Sequence, residues 1–307
     1  MPACPLVSVI IPTYNRAPLL AQALTSVFGQ SFRDFEVIVA DDGSEDETPK
    51  TVESFSGVRY IRLEHGGMPG RSRNRGVAAA RGRFIAFLDS DDLWLSEKLE
   101  KQIRLFEASF GKEPCRICHT RELWLRAGGE VSQAGQRHRR EGDIFADSLK
   151  KCVIGPSTVM VEKVFFERHG GFREDLEIAE DYELWLRMTF GENAAYLDEA
   201  LTIKRAALVN DGAGQLSQKY GHIEVFRIRA LQGLVEGAAF TLEPERDALA
   251  RAELGRKCAI YALGCRKRGR TEEAQMYEEL ALRARGAAPP EISYEKHEQD
   301  HEKSGER

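Results

Sequence analysis

The spacing of apolar positions switches repeatedly between two periods over the first ninety residues. Val7, Val9, Ile10 and Ile11 form a short β-branched run that reads as a buried strand. Between Pro18 and Gln30, the residues Leu19, Leu20, Ala23, Leu24, Val27 and Phe28 recur at helical spacing and define one apolar face. Phe35 to Ala40 predicts a second strand, Ser44 to Lys50 the opening of a short helix, and Val58 to Leu63 a third strand. Gly70 to Arg81 reads as a helix with Ala78, Ala79 and Ala80 near its end, and Arg83 to Leu88 as a fourth strand. Strands and helices alternating in this way predict right-handed crossovers and an α/β fold with a mainly parallel, twisted sheet.

The pattern from about 112 to 208 is less regular. Cys115 to Arg126 and Ser157 to Val161 predict strands, and Glu180 to Met188 predicts a helix with Tyr182, Trp185, Leu186 and Thr189 on one face. Beyond Leu216 the signal is helical, with a stripe of Tyr220, Ile223, Phe226, Ala230, Leu231 and Leu234. Pro244 suits the first turn of a further helix running towards Arg268. Gly269 breaks it, and Thr271 is placed to cap a last helix with a Glu-rich first turn. From Gly286 onward, Pro289, Pro290 and dense charge predict disorder. The expected division is therefore 1–110, 111–210, 211–285 and a tail, 286–307.

Composition narrows the class. With 307 residues the chain suits one large or two modest domains. Its 44 basic and 49 acidic side chains give a net charge of −5, which argues against a nucleic-acid partner. No apolar run nears the roughly 20 residues a transmembrane helix needs, and no basic start followed by a long apolar stretch marks a signal peptide. Six cysteines in such a chain read as reduced thiols, and the expectation is a cytoplasmic protein.

In open α/β sheets, ligands bind beyond the carboxyl ends of the strands. Here strand one is followed by Pro12-Thr13-Tyr14-Asn15, strand two by Asp41-Asp42-Gly43-Ser44, and strand four by Asp89-Ser90-Asp91-Asp92. Five carboxylates are thus expected on one rim, where they repel unless a cation lies among them. An all-oxygen ligand set suits Mn²⁺ or Mg²⁺. An Asp after a strand also makes Asx-turns and helix caps, a reading with more weight for Asp41-Asp42 alone than for the second cluster. Strand one carries no G-x-G-x-x-G and the chain no G-x-x-x-x-G-K-[ST], so phosphate contact falls to the metal. The combination favours a metal-bound nucleoside diphosphate.

Ser8-Val9-Ile10-Ile11-Pro12-Thr13-Tyr14-Asn15-Arg16, Asp41-Asp42-Gly43-Ser44 and Phe87-Leu88-Asp89-Ser90-Asp91-Asp92 resemble the nucleotide-binding half of family-2 glycosyltransferases. Gly170-Gly171-Phe172 and Glu180-Asp181-Tyr182-Glu183-Leu184-Trp185-Leu186-Arg187 resemble the acceptor-side segment with its catalytic carboxylate. The resemblance runs in order from about residue 6 to residue 205 and is strongest to a bacterial subgroup acting on cell-surface polysaccharides. It implies a GT-A fold, an inverting transferase, a nucleotide-sugar half over 1–110, an acceptor half over 111–210 and a helical extension over 211–285. It also implies roles. Pro12, Thr13, Tyr14, Asp41 and Asp42 would line the base and ribose, with Arg73 and Asn74 approaching the nucleotide. Asp89 would touch ribose, with Ser90 beside it. Asp91 would hold the metal bridging the phosphates, and Asp92 a second metal or sugar contact. Asp181 would be the general base, supported by Glu180. The implied donor is a nucleotide sugar, UDP-sugar favoured. The implied acceptor is a glycan or lipid-linked hydroxyl, reached without a transmembrane segment through peripheral contact at the inner face of the membrane.

The sequence departs from that subgroup after Lys204-Arg205. Ala206 to Ala213 stands where Gly-Gly-His is usual, so the expected His is absent. Asp211 is a candidate substitute, and Gly212 and Gly214 candidate hinges of a lid. The departure keeps open a catalytically weakened nucleotide-sugar or polysaccharide-binding protein. A sugar nucleotidyltransferase lacks support, since no Gly-rich signature follows strand one. A D-x-D-x-[TV] phosphatase is weaker still, with Leu93 at the Thr/Val position. Cys115-Arg116-Ile117-Cys118-His119 spells a haem attachment pattern, but reads as strand cysteines in a chain without an export signal. Arg137 to Arg140 reads as a solvated loop or an anion contact. Trp124 and Trp185 read as core, and Trp94 as core or sugar platform.

Overall fold

The computed structural model describes residues 4–108, 115–126, 129–131, 140–205, 223–237 and 243–286. Strands β1 (Val7–Thr13), β2 (Phe35–Asp41), β3 (Val58–Arg62) and β4 (Phe84–Phe87) alternate with helices α1 (Ala17–Phe28), α2 (Thr48–Glu53) and α3 (Pro69–Ala79). β1 pairs in parallel with β2 and β4, and β2 with β3. Successive side chains point to opposite faces. Val7, Val9 and Ile11 therefore pack with Leu20, Ala23, Leu24 and Val27 of α1, while Ile10 meets Ile38, Ile85, Phe87 and Val77 of α3. A sheet covered on both faces accounts for strand runs without polar alternation.

One close approach fixes how β4 enters the sheet. A Cβ on Gly82 would lie 2.6 Å from Ser8 N and 2.7 Å from the Val7 carbonyl carbon, and Gly82 N donates to Ser8 Oγ at 2.8 Å. Backbone of a central strand cannot yield as a flexible side chain can. Gly82→Ala is therefore expected to destabilise by about 2–3 kcal/mol, read as a lowered midpoint in thermal or urea unfolding; an unchanged midpoint would refute the packing argument.

Beyond β4 the sheet becomes mixed. It continues with β5 (Leu93–Trp94), helix α4 (Lys98–Ala108), β6 (Ile117–Arg126), β7 (Gly129–Val131) and helix α5 (Phe145–Lys150). Then follow β8 (Met160–Glu162), α6 (Lys163–Arg168), α7 (Glu180–Thr189) and β9 (Ala195–Lys204). The strand order is β3-β2-β1-β4-β8-β6-β9-β5, with β7 on β6. β8 runs antiparallel to β4 and β6, and β9 parallel to β6. The expected strand over Ser157 to Val161 is corrected here. Pro156–Thr158 is a 3₁₀ turn, closed by Thr158 N and Oγ1 donating to the Gly155 carbonyl, and the strand starts only at Met160. Pro156 presets the turn.

The chain forms two compact units, one up to Leu254 and one from Gly255. In the first, helix α8 (Ile223–Glu236) packs on α7. Helix α9 (Pro244–Lys267) spans the boundary. In the second unit, Tyr261 packs edge-on against Tyr277 of helix α10 (Thr271–Ala284) and donates from its hydroxyl to Glu273. Thr271 is the first residue of α10 and no side chain caps that helix, contrary to expectation. Gly269 takes φ +73° after α9, as a helix stop requires. No helix among the described residues is long and apolar enough to cross a membrane. The loop with Asp211, Gly212 and Gly214, the basic residues 137–139 and the tail from 287 lie outside the described residues. Cys118 and His119 are buried in β6, which leaves the haem pattern inaccessible.

Candidate active site

The ends of β1 and β2 are sewn together by their own side chains. Asn15, at φ +49°, donates from its backbone N–H to Ser44 Oγ at 2.8 Å, and its Oδ1 accepts from Glu45 N at 2.8 Å. Asp41 is fully buried and accepts from Ser44 N at 3.0 Å, from Ser44 Oγ and from the Tyr60 hydroxyl. Burial, together with Asp41, drives the Tyr60 hydroxyl pKa well up, so it stays a donor. Asp42 accepts from Gly66 N at 3.1 Å and Gly67 N at 2.8 Å, and lies 2.9 Å from His65 Nδ1. Gly67 sits at φ +70°, a conformation that suits glycine. Tyr14 stacks on His65 with ring centroids 4.0 Å apart and is itself exposed. Pro12 is half-buried, and the buried Thr13 Oγ1 has no hydrogen-bond partner.

Of the five carboxylates expected on one rim, three form a cluster. Oxygens of Asp89, Asp91 and Asp92 lie within 4.8 Å of one another, while Asp41 and Asp42 are engaged as above. Each member of the cluster meets different partners. Arg73 of α3 donates from Nη2 to Asp89 Oδ1 at 2.6 Å and from Nη1 to Glu180 Oε1 at 2.5 Å. Arg16 Nη1 donates to Asp91 Oδ2 at 2.7 Å. Asp92 is buried, accepting from Ser157 Oγ at 2.7 Å and from Arg205 N at 3.3 Å, while Arg205 Nε donates to the Asp91 carbonyl at 2.6 Å. Ser157 Oγ also accepts from Asp89 N at 3.0 Å, and its carbonyl accepts from Trp94 Nε1 at 2.8 Å. Trp94 is therefore buried scaffold under the loop. Ser90 is buried within it.

Charge is distributed unevenly across this cluster. Burial pushes Asp92 up to about 8, opposed by Lys204 and reinforced by Asp91 and Asp89. Burial also works against the Asp89 carboxylate, but Arg73 and then Lys204 outweigh it and lower its pKa. Arg73 stays charged because Asp89 and Glu180 overcome its burial. Lys204, at the end of β9, is likewise held protonated against burial by Glu122, Asp92, Asp89 and Asp181. Sequence reasoning assigned no role to Ser157 or Lys204. Pro156 was the one visible sign that the chain turns at Ser157.

The segment leading into α7 is attached to α3. Asn74 Nδ2 donates to the Phe172 carbonyl at 2.8 Å and to Glu174 at 3.0 Å, and its Oδ1 accepts from Phe172 N at 3.0 Å. Ala179, at φ +64°, turns the chain into α7. That start separates the two adjacent acids. Glu180 is buried against Arg73, and burial pushes it up to about 7, against Arg73 and with Asp181. Asp181 is half-buried, its Oδ1 accepting from Tyr182 N at 2.7 Å and its Oδ2 facing the Cys152 thiol at 3.5 Å. Of the pair, Glu180 is the one that forms the ion pair with Arg73.

A parallel sheet over β1 to β4, an Asp-rich turn after β4 and a mixed sheet beyond it make up the GT-A architecture. The structure of S. aureus TarS 1-349 in complex with UDP-GlcNAc matches it with a TM-score of 0.61 at 20% identity, over 92% of each chain. The profile of glycosyl transferase family 2 matches residues 8–118. An uncharacterized glycosyltransferase of Rickettsia prowazekii is 30% identical over 221 residues, 70% of this chain and 69% of that one. The Escherichia coli protein WfgD, named a UDP-Glc:alpha-D-GlcNAc-diphosphoundecaprenol beta-1,3-glucosyltransferase, is 30% identical over 198 residues, 63% of this chain and 73% of its own. The chain belongs to the family-2 glycosyltransferases.

Proposed function

We propose that this enzyme transfers a sugar, with inversion, from a UDP-sugar held with Mn²⁺ or Mg²⁺ to a hydroxyl of a glycan or lipid-linked acceptor. The observation that carries the reading is the Asp89, Asp91 and Asp92 cluster joined through Arg73 to the helix start bearing Asp181. Three carboxylates within 4.8 Å fit one hard cation with oxygen ligands at about 2.1 Å after small side-chain rotations. Asp91 and Asp92 would hold it, with Asp89 alongside. When bound, such an ion offsets the negative charge developing on the departing diphosphate. UDP is favoured because the relative WfgD is named for UDP-Glc and TarS was captured with UDP-GlcNAc. A lipid-linked glycan acceptor draws on the WfgD name.

In this scheme residues 1–110 bind the donor, 111–210 the acceptor, and 211–285 form a helical extension. Pro12, Thr13, Tyr14, Asp41 and Asp42 surround base and ribose, Arg73 and Asn74 back the nucleotide, and Asp89 with Ser90 meets the ribose. A sugar hydroxyl is a weak nucleophile at neutral pH. Asp181 takes its proton as the acceptor oxygen bonds to the anomeric carbon and the bond to the phosphate oxygen breaks, releasing UDP. Glu180 keeps the α7 start fixed on Arg73. The enzyme would work in the cytoplasm, touching the inner face of the membrane peripherally to reach a lipid-linked acceptor.

A panel of UDP-, GDP- and dTDP-sugars with Mn²⁺, Mg²⁺ or EDTA tests this. Release of UDP from one donor, lost with EDTA, is the expected result. No release from any donor, with no metal-dependent UDP binding in calorimetry, would overturn the reading.

A further inference from the structure

We propose that His65 stands in for the nucleobase: its imidazole fills the base subsite, and a nucleoside diphosphate must lift it out in order to bind. His65 thereby sets the affinity for the donor nucleotide. The proposal rests on the reading above that Tyr14 and Asp42 meet the base.

The imidazole makes the two contacts that this reading gives the base. Its ring stacks on Tyr14 with 4.0 Å between centroids and 15° between planes. Its Nδ1 lies 2.9 Å from Asp42 Oδ2 and 3.0 Å from the Asp42 carbonyl oxygen. A carbonyl oxygen only accepts, so Nδ1 carries the hydrogen and donates to Asp42. Uracil likewise offers a flat ring for an aromatic side chain and an in-plane N–H for an acceptor. A base that stacks on Tyr14 and also reaches Asp42 needs the space this ring takes.

The frame of the subsite does not depend on the imidazole. Asp42 N donates to the Thr13 carbonyl at 2.9 Å, and the Asp42 carboxylate is held by the Gly66 and Gly67 amides. Asn15, next to Tyr14, is tied to Ser44 and Glu45. The backbone around His65 is fixed as well, since Leu63 N donates to the Asp41 carbonyl and Arg71 Nη1 to the Glu64 carbonyl. The ring is the movable part. Already 49% of the side chain is exposed, and a change of χ1 rotamer carries the rest into water. Water then satisfies Nδ1, while the base takes over the Tyr14 face and the Asp42 oxygen.

Calorimetry of the full chain with Mn²⁺ measures UDP binding, and NMR with diamagnetic Mg²⁺ follows the His65 and Tyr14 rings. If the imidazole fills the subsite about nine-tenths of the time, removing it raises UDP affinity about tenfold. His65→Ala and His65→Asn, neither of which can stack on Tyr14, are each expected to show that gain, and the Asn variant serves if the Ala variant fails to fold. In wild type, saturating UDP should move the His65 ring-proton signals downfield, out of the shielding of Tyr14, to the position of a solvent-exposed imidazole. UDP affinity in both variants that is weaker than wild type or within about twofold of it overturns the proposal, as does a His65 signal that stays shielded with UDP bound. Overhauser contacts between the uracil ring protons and Tyr14 then separate the two readings. Where they are present, the base reading stands and only the role of His65 falls. If bound UDP makes no such contact, or if wild type and variants all bind no UDP, the base reading itself fails and takes this proposal with it.

Discussion

Asp181→Asn is expected to lower turnover about a thousandfold while leaving UDP affinity unchanged. The substitution is nearly isosteric. The amide keeps an acceptor oxygen for the Tyr182 N–H, and its NH₂ takes the place of the oxygen facing the Cys152 sulfur, a weak acceptor. What disappears is basicity, and removing a positioned general base typically costs 10² to 10⁴ in rate. Glu180→Gln should behave differently. It leaves the buried Arg73 with Asp89 as its remaining carboxylate partner, so stability and donor binding should fall together with rate. Steady-state kinetics beside UDP calorimetry separates the two variants, and full turnover by Asp181→Asn would remove it from the base role.

Lys98→Met should raise the unfolding temperature at neutral pH by roughly 5–10 °C, from a gain of about 2–3 kcal/mol. Lys98 is completely buried in α4, its Nζ 4.2 Å above the Trp94 ring and donating to Gln102 Oε1 at 2.6 Å. Burial pushes its pKa down to about 7 from 10.5, against a small opposing effect of Cys118. A depression of that size corresponds to roughly 5 kcal/mol against the charged form. The lost ring contact and the orphaned Gln102 oxygen offset part of it. The sign follows from linkage. Below pH 7 the amine is charged folded and unfolded alike, and the fold bears the whole penalty. Between pH 7 and 10.5 the folded state sheds the proton first, so wild type gains stability and the advantage of Met shrinks. Calorimetric melts at pH 6.5 and pH 10 check this, and a pH-independent gain would contradict it.

The strands at the centre of the sheet were readable because each is buried on both faces, and a run such as Val37-Ile38-Val39-Ala40 has no other use. The Asp89-Ser90-Asp91-Asp92 turn was readable because four polar residues after an apolar strand stand out locally. The rest depended on contacts distant in sequence. Nothing in Glu180-Asp181 tells which acid faces inward; the left-handed Ala179 and the position of Arg73 decide it. Nothing in the type of residue marks Lys98 as buried, but Leu99, Ile103 and Phe106 beside it belong to the core and turn the start of α4 inward. Thr158, Val159 and Val161 favour a strand from Ser157, whereas Pro156 bends the chain so that the Ser157 hydroxyl reaches Asp92. Asp41 and Asp42 look alike in sequence, but strand alternation gives one to Tyr60 and the other to the Gly66-Gly67 amides.

Arg73 limits how enzymes of this build can exchange parts. Its guanidinium is shared between an acid that follows β4, Asp89, and one at the start of α7, Glu180. A chimera taking residues 111–210 from a donor protein without a carboxylate at position 180 would strand a buried cation with half its counter-charge. Segments of such a scaffold can therefore be swapped only when this one ionic contact travels with the graft.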